Sequence, residues 1–323
     1  MNRIAVLTSG GDAPGMNAAI RAVVRASLYK EIEIFGIMRG YEGLIDGDIK
    51  QMVSRDVSNI IQRGGTILKS ARSKRFTTKE GRLQAYNNLK EKNIDGLIVI
   101  GGNGTFTGAK IFGTEFDIKV VGIPGTIDND LYGTDYTIGY DTAINTVVSA
   151  IDNIRDTATA HNRLFFIEVM GRDAGFLALR SGIAGGAEAI LIPEKPTHLE
   201  NLHLYLENGF KKPKSSGIIL VAEGDHEGGA YEIAKKVRTD FENYDVRVTV
   251  LGHIQRGGRP SAFDRVTASK MGVEAVEALT NKQKNIMIGV KCGQSQYVSF
   301  DLAIKGRKPI DDQLYNILSI LNY

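Results

Sequence analysis

Short runs of consecutive apolar residues recur along the chain, and most stop at glycine or a polar residue: IAVLTSGG (4–11), LIVIGGNG (97–104), VVGIPGT (120–126), LFFIEVMGR (164–172), IILVAEGD (218–225) and VTVLGHIQRGG (248–258). They are rich in Ile, Val and Leu and do not alternate apolar with polar positions. That pattern predicts strands buried on both faces, as parallel sheets require. Between them, apolar positions fall at helical spacing in MNAAIRAVVRASLYK (16–30), DTAINTVVSAIDNIRDT (141–157) and AYEIAKKVRTDFENY (230–244), and IDDQLYNILSILNY (310–323) predicts a closing amphipathic helix. Strand and helix signals in alternation give an α/β chain with crossover helices. Ligands of such sheets bind outside the carboxyl ends of the strands, so the Gly, Asp, Thr, Arg and His residues that end these runs are the candidates for function.

Composition narrows the class. A chain of 323 residues, 42% hydrophobic, exceeds what one core usually serves and predicts two lobes. No linker or repeat marks their limit, and the Ile138-to-Asp141 region is the candidate boundary. A net charge of +3 from 40 basic and 37 acidic residues gives no footprint for nucleic acid or an anionic membrane. The apolar run near the first residues is too short for a signal peptide or a membrane span. Cys292 is the single cysteine, which excludes an intramolecular disulfide and a cysteine metal cluster and suits a reducing, cytoplasmic compartment. The 37 glycines include six adjacent pairs, at 10–11, 64–65, 101–102, 185–186, 228–229 and 257–258, a pattern that points to specific backbone geometry, with 228–229 alone reading as an ordinary surface turn.

Three strand-end motifs carry candidate chemistry. TSGGDAPGMN (8–17) lies between a strand and a helix, where two glycines bring bare N–H groups to a ligand and the helix aims its positive end at the same place. A turn that merely needs glycine reads the same, and the motif is neither G-x-G-x-x-G nor a P-loop. IGGNGTFTG (100–108) repeats the plan, with space at Gly104 for a polyphosphate and hydroxyls on Thr105 and Thr107. PGTIDND (124–130) places Asp128 and Asp130 two residues apart, so that in an extended segment both face one way. Their oxygens can then take a hydroxyl proton and meet a magnesium-bound phosphate, which is what phosphoryl transfer to an alcohol needs. Solvated acids in a turn are the alternative. Arg72, Arg163, Arg172, Arg247, His253 and Arg256 supply cations at strand ends and entrances, suited to bidentate phosphate recognition. Lys211, Lys212 and Lys214 read as a solvated helix end. The residues alone therefore support an enzyme or sensor binding two phosphate-bearing ligands between lobes, with a kinase as the leading class.

TSGGDAPGMN, RGGT (63–66), IGGNGT, PGTIDNDLYGTDYTIGYDTA, IRDTATAHNR, EVMGRDAG, VAEG and VLGHIQRGG together resemble the bacterial ATP-dependent 6-phosphofructokinases, in order and spacing, over essentially the whole chain. The resemblance implies two Rossmann-like lobes with mainly parallel sheets flanked by helices and an active site between them. Residues 1–138 plus 251–301 would form the ATP-binding lobe, and 139–250 plus 302–323 the fructose 6-phosphate-binding lobe. The implied subunit is cytoplasmic and homotetrameric, and uses Mg-ATP to phosphorylate the 1-hydroxyl of the sugar. Asp128 would be the base, Thr126 and the Gly11 amide would hold the transferring phosphate, and Arg172 would stabilise the transition state beside Asp130. Tyr41, Arg72, Ser73, Gly102, Asn103, Gly104, Thr105 and Gly108 would join Gly11 in the ATP site. Arg163, Met170, Gly171, Glu223, Arg247, His253 and Arg256 would hold fructose 6-phosphate, with Arg163 and Arg247 reaching from a neighbouring subunit. An effector site for ADP or phosphoenolpyruvate would use Arg21, Arg25, Arg155, Gly186, Glu188, Lys212 and Lys214, with Arg21 and Arg25 one helical turn apart.

The sequence also departs from that pattern. Asn103 stands where the family usually has a magnesium-associated Asp, leaving Asn103 and Asp130 as the metal candidates. Ser54 and Asn59 replace a common Arg and Asp, and Phe176 a frequent Asp near the sugar. Ser73-Lys74-Arg75 brings positive charge beside Arg72 that could offset the charge lost at residue 103. A non-catalytic regulatory paralogue is therefore one alternative. A pyrophosphate-dependent enzyme is the other, although Gly104 and Gly125, which are Asp and Lys in those relatives, favour ATP.

Overall fold

The structure, a computed structural model, describes residues 1–160, 163–195, 216–240 and 245–321. In chain order the strands are β1 (Arg3–Thr8), β2 (Glu33–Ile37), β3 (Ile49–Met52), β4 (Gly96–Gly101), β5 (Lys119–Pro124), β6 (Arg163–Val169), β7 (Ala189–Leu191), β8 (Gly217–Ala222), β9 (Asp245–Val250), β10 (Ile286–Lys291) and β11 (Gln294–Ser299). The helices are α1 (Met16–Tyr29), α2 (Gly40–Asp46), α3 (Lys79–Glu91), α4 (Asn103–Glu115), α5 (Tyr140–Thr159), α6 (Phe176–Ala184), α7 (Ala230–Asp240), α8 (Ala262–Thr280), α9 (Phe300–Lys305) and α10 (Asp312–Leu321). Contacts divide the chain into two units. One is Met1–Ile127, Leu131–Thr142 and Arg256–Lys308; the other is Asp128–Asp130, Ala143–Gln255 and Pro309–Tyr323.

The first unit is built on a seven-stranded sheet in the order β11-β10-β5-β4-β1-β2-β3. Its five inner strands run parallel, and β3 and β11 close the edges antiparallel. Every residue of β4 is buried, as its unbroken apolar run requires. In β1, Ala5 and Leu7 join a core with Leu44, Leu89, Phe106 and Phe112 from α2, α3 and α4, while Ile4 and Val6, equally buried, point to the opposite face. Helices α1 and α8 pack so closely that a Cβ on Gly272 would lie 2.6 Å from that of Ala22. Strands β2, β3, β10 and β11 are not foreseen by the apolar-run reading. The β10–β11 hairpin turns through Cys292 and Gly293, both at positive φ (49° and 78°), the left-handed pair that a tight hairpin needs. Its second strand, QSQYVS, is an edge strand too polar to register as a buried run.

The second unit holds a four-stranded parallel sheet in the order β7-β8-β6-β9. Leu164, Phe166, Ile219 and Val221 pack against Ile233, Ala234 and Val237 of α7. Strand β9 departs from the expected both-face burial: it spans 245–250 rather than starting the run 248–258, and Arg247 and Val250 are exposed. Among the described residues it is an edge strand, bonded to β6 alone, and the chain then leaves it in a short 3-10 turn, Gly252–Arg256.

Within the first unit, Asp264 ties the start of α8 to the start of α5. Fully buried, its carboxylate accepts from the Gly139 N–H (2.9 Å), the Thr142 N–H (2.8 Å) and the Thr142 hydroxyl (2.5 Å). Burial pushes this carboxyl up to about 6, against the pull of those donors. A folded-state value above the ~3.9 of an unfolded Asp means that the folded chain binds the proton more tightly. The resulting stability is full below about pH 4 and is lost as pH rises through about 6. Asp264→Asn should abolish that dependence in urea unfolding measured between about pH 4 and 7, and should cost about 1–3 kcal/mol at neutral pH because an amide N–H faces an N–H. An unchanged pH profile would refute the assignment.

Candidate active site

Strands β1, β4 and β5 are neighbours, and their carboxyl ends bring three loops together in the first unit. The Ser9 N–H donates to Ile100 O (3.0 Å), the Thr105 hydroxyl to Ser9 O (3.0 Å) and the Gly125 N–H to Gly101 O (3.0 Å). A Cβ on Gly102 would stand 3.5 Å from that of Thr126. The segment leading to Arg72 joins the same place, because the Ser70 hydroxyl donates to Gly10 O (2.6 Å); Arg72 itself is exposed. Gly11, Gly102, Gly104 and Thr126 are thus gathered around the start of α4, whose first turn presents N–H groups and the positive end of the helix dipole. No atom lies within 4 Å of where a Cβ on Gly104 would stand, so this position faces open space of the kind a polyphosphate needs.

Contacts tie several of the candidate side chains to the protein itself. The Thr105 hydroxyl is tied to Ser9 O and the Thr107 hydroxyl donates to Asn103 O (2.9 Å), so both serve the backbone. Tyr41 is buried, its hydroxyl donates to Thr105 O (2.6 Å) and its ring stacks on Phe76 with centroids 3.9 Å apart; burial pushes the phenol well above its usual range. A Cβ on Gly108 would press on both rings, 3.1 Å from Tyr41 and 3.3 Å from Phe76. Ser73 accepts the Phe76 N–H (3.1 Å), and Arg75 is ion-paired with Glu42 and Asp46, so its charge is neutralised locally instead of compensating residue 103. Gly64 makes room for protein, not phosphate: a Cβ there would lie 2.3 Å from Gly258 O. Nor is the 228–229 pair an ordinary turn, since a Cβ on Gly229 would meet the Glu168 carboxylate at 2.5 Å, the same group that accepts the Ala230 N–H (2.8 Å).

Arg256, expected at the sugar phosphate, lies on the first glycine loop. Its Nη1 donates to Asp12 O (3.3 Å) and stands 2.5 Å from where a Cβ on Gly11 would be.

In the second unit, the premise that Asp128 and Asp130 sit in an extended segment fails. Asn129 between them has φ +53°, in the left-handed region, so two-residue alternation does not apply; both acids are half-buried. Arg172 is also left-handed (φ +56°), a conformation of the strained kind that collects at functional sites. Its N–H donates to Glu223 Oε1 (2.7 Å), and its side chain is exposed, 3.6 Å from Asp173. Buried Gln255 accepts the Met170 N–H (3.2 Å) and donates to Gly252 O (3.0 Å), which joins Met170, Gly171, Arg172 and Glu223 to the turn carrying exposed His253. On adjacent strands Arg163 and Arg247 share Asp245, each through Nε at 2.9 Å, and these two cations hold the Asp245 carboxyl below the usual range.

Of the effector candidates, Arg155, Gly186 and Glu188 come together. Arg155 donates to Gly185 O (2.8 Å) and Gly186 O (2.5 Å) and pairs with Glu188 (3.3 Å), which accepts the Ile218 N–H (2.6 Å). Arg21 and Arg25 lie on α1 of the first unit, where burial and the charge of Arg25 lower the Arg21 value. Lys211, Lys212 and Lys214 lie outside the described residues.

Against known proteins, the phosphofructokinase family model matches residues 3–279. The chain belongs to the phosphofructokinase family. It is 58% identical over 319 residues to ATP-dependent 6-phosphofructokinase 2 of Bacteroides thetaiotaomicron, covering 99% of this chain and 98% of that one. It is 53% identical over 321 residues to ATP-dependent 6-phosphofructokinase 1 of Thermus thermophilus, covering 99% of each. Phosphofructokinase from Saccharomyces cerevisiae superposes on all of this chain with a TM-score of 0.90 at 35% identity; this chain spans 47% of the yeast one. A pyrophosphate-dependent phosphofructokinase from Marinobacter aquaeolei, at 20% identity and a TM-score of 0.84, shares the fold.

Two residues that hold these segments, one in each unit, carry no sequence signal of their own. Gln255 was hidden inside GHIQRGG between more suggestive neighbours, and Asn17 closes the TSGGDAPGMN motif. The Asn17 amide donates to Arg63 O and Gly64 O (3.1 Å each) and accepts the Ile67 N–H (2.8 Å), fixing the RGGT segment. Among the described residues no three His, Cys, Asp or Glu side chains gather as a metal site, and no helix is long and apolar enough to cross a membrane. Magnesium is usually held by one or two carboxylates together with substrate phosphates. Asn103 at the start of α4 in the first unit and half-buried Asp130 in the second each carry a hard oxygen donor of that kind.

Proposed function

We propose that this chain transfers the γ-phosphoryl group of ATP to the 1-hydroxyl of fructose 6-phosphate, giving fructose 1,6-bisphosphate and ADP in glycolysis. The observation that carries this reading is the convergence of the β1, β4 and β5 loops on the open space at Gly104, in a family member so similar to named ATP-dependent enzymes. Nucleotide binding belongs to the first unit and sugar-phosphate recognition to the second, with Arg256 lying on the nucleotide loop.

Asp128 accepts the proton of the sugar hydroxyl, whose oxygen forms a bond to the γ-phosphorus as the bond to ADP breaks. The Gly11 N–H and Thr126 hydroxyl hold the transferring group, and Arg72 holds the ATP phosphates. Arg172, on its strained and Glu223-anchored backbone, places a guanidinium against the developing charge. Asp130 and Asn103 would hold magnesium, which would supply neutralisation of phosphate charge. Arg163, Arg247 and His253 hold the 6-phosphate, the first two from a neighbouring subunit of a homotetramer, while Arg256 serves the nucleotide loop, and ADP or phosphoenolpyruvate binds near Arg155 and Glu188. The protein works in the cytoplasm.

Initial rates with ATP and with pyrophosphate, run in parallel while fructose 6-phosphate is titrated, test the donor. Turnover should need ATP, and Gly104→Asp, which fills the open space, should weaken ATP use. Faster turnover with pyrophosphate would contradict the reading.

A further inference from the structure

Arg75 is in the middle of a network that spans the nucleotide side of the first unit. Its guanidinium reaches α2, with Nε 2.6 Å from Glu42 Oε1 and Nη2 2.5 Å from Asp46 Oδ1. Glu42 and Asp46 are one turn apart, so they form a pair of acceptors on one face of that short helix. The next residue, Phe76, is buried and held on every side. Its N–H donates to Ser73 Oγ, its carbonyl accepts Arg82 Nη1 (3.1 Å), and its ring stacks on Tyr41 at 9° between planes. Tyr41 in turn donates to Thr105 O in the first turn of α4, and Arg82, almost fully buried, pairs bidentately with Glu115 at the other end of that helix.

The segment that carries Arg72 is therefore anchored through residue 75 to α2 and through residue 76 to both ends of α4. From this we infer that Arg75 is a positioning residue for the nucleotide: it clamps the 72–77 segment so that Arg72 and the first turn of α4 are held in one arrangement before ATP binds. The inference rests on the nucleotide reading proposed above. Arg75 touches no reacting atom in this scheme; it acts through Phe76, Tyr41 and Arg72. A fork that meets two carboxylates is specific to arginine, so lysine, a point charge, should replace it only in part.

Arg75 is exposed, so Arg75→Ala should raise the KM for ATP about three- to fivefold, the scale of an exposed ion pair of good geometry, while kcat and the KM for fructose 6-phosphate stay within about twofold. Arg75→Lys should fall between, and Glu42→Gln with Asp46→Asn should reproduce the Ala phenotype without adding to it when combined. Amide hydrogen exchange of the ligand-free protein supplies a readout independent of turnover. In Arg75→Ala, exchange should quicken at 72–78 and 103–108 and not in the β10–β11 hairpin. Unchanged exchange there, or faster exchange with an unchanged KM for ATP, would overturn the proposal. If the unsubstituted chain neither binds ATP in calorimetry nor turns it over, the functional reading is what fails; exchange still decides whether Arg75 holds the segment.

Discussion

Asp128→Asn should lower kcat for phosphorylation of fructose 6-phosphate by about 10²–10⁴-fold, the range that a positioned general base contributes. The substitution keeps the shape of the side chain and one oxygen but removes the group that accepts the hydroxyl proton. Because Asp128 acts on the sugar side, the affinity for ATP should change little. Asparagine matches the volume of aspartate, so the packing around half-buried residue 128 is kept. The variant should therefore fold as the parent does, and circular dichroism with steady-state kinetics at saturating ATP checks both halves. Turnover within about tenfold of the parent would remove Asp128 from the role of base.

The second large effect is at Arg172, where activity and stability should move in opposite directions. Arg172→Gly deletes the guanidinium expected to meet the charge on the transferring phosphoryl, and kcat should fall about 10²–10³-fold, the loss typical of one preorganised electrostatic contact. The same change relieves a non-glycine residue at φ +56°, for which a left-handed backbone costs about 1–2 kcal/mol. Glycine's greater unfolded-state freedom takes back about 0.5–1 kcal/mol, so the variant should be at least as stable as the parent. Arg172→Ala separates the terms: it should lose the same activity with no relief of strain. An Arg172→Gly variant that retains activity, or one that loses stability along with it, would contradict the account.

What was legible in the sequence follows from physics that acts locally. LIVIGGNG reads as a strand because every residue of β4 is buried on both faces, and the glycines after it are readable because they end that run. Gln255 and Asp264 were not legible. Each is a single polar residue whose partners, the Met170 N–H and the amides at Gly139 and Thr142, lie 85, 125 and 122 positions away, and no local pattern reports such a pairing. The edge strands escaped for the opposite reason: among the described residues QSQYVS and DVRVTV have one neighbour each, so exposure lets polar residues break the run. Arg75 was read as added charge because sequence gives sign and not partner; only the fold shows that Glu42 and Asp46 claim it. Family motifs carried the site because they specify combinations that single residues cannot.

Asn103, the first residue of α4, is the point where the proposed activity is most exposed, since it is a neutral amide where the resemblance leads one to expect an acid. The most direct measurement is phosphorus NMR of the purified protein with magnesium, ATP and fructose 6-phosphate, following all products together. Fructose 1,6-bisphosphate and ADP should appear in equal amounts, with formation abolished by Asp128→Asn. Saturable binding of both ATP and fructose 6-phosphate with no bisphosphate formed would contradict the proposed activity and make the chain a ligand-binding regulatory member of its family.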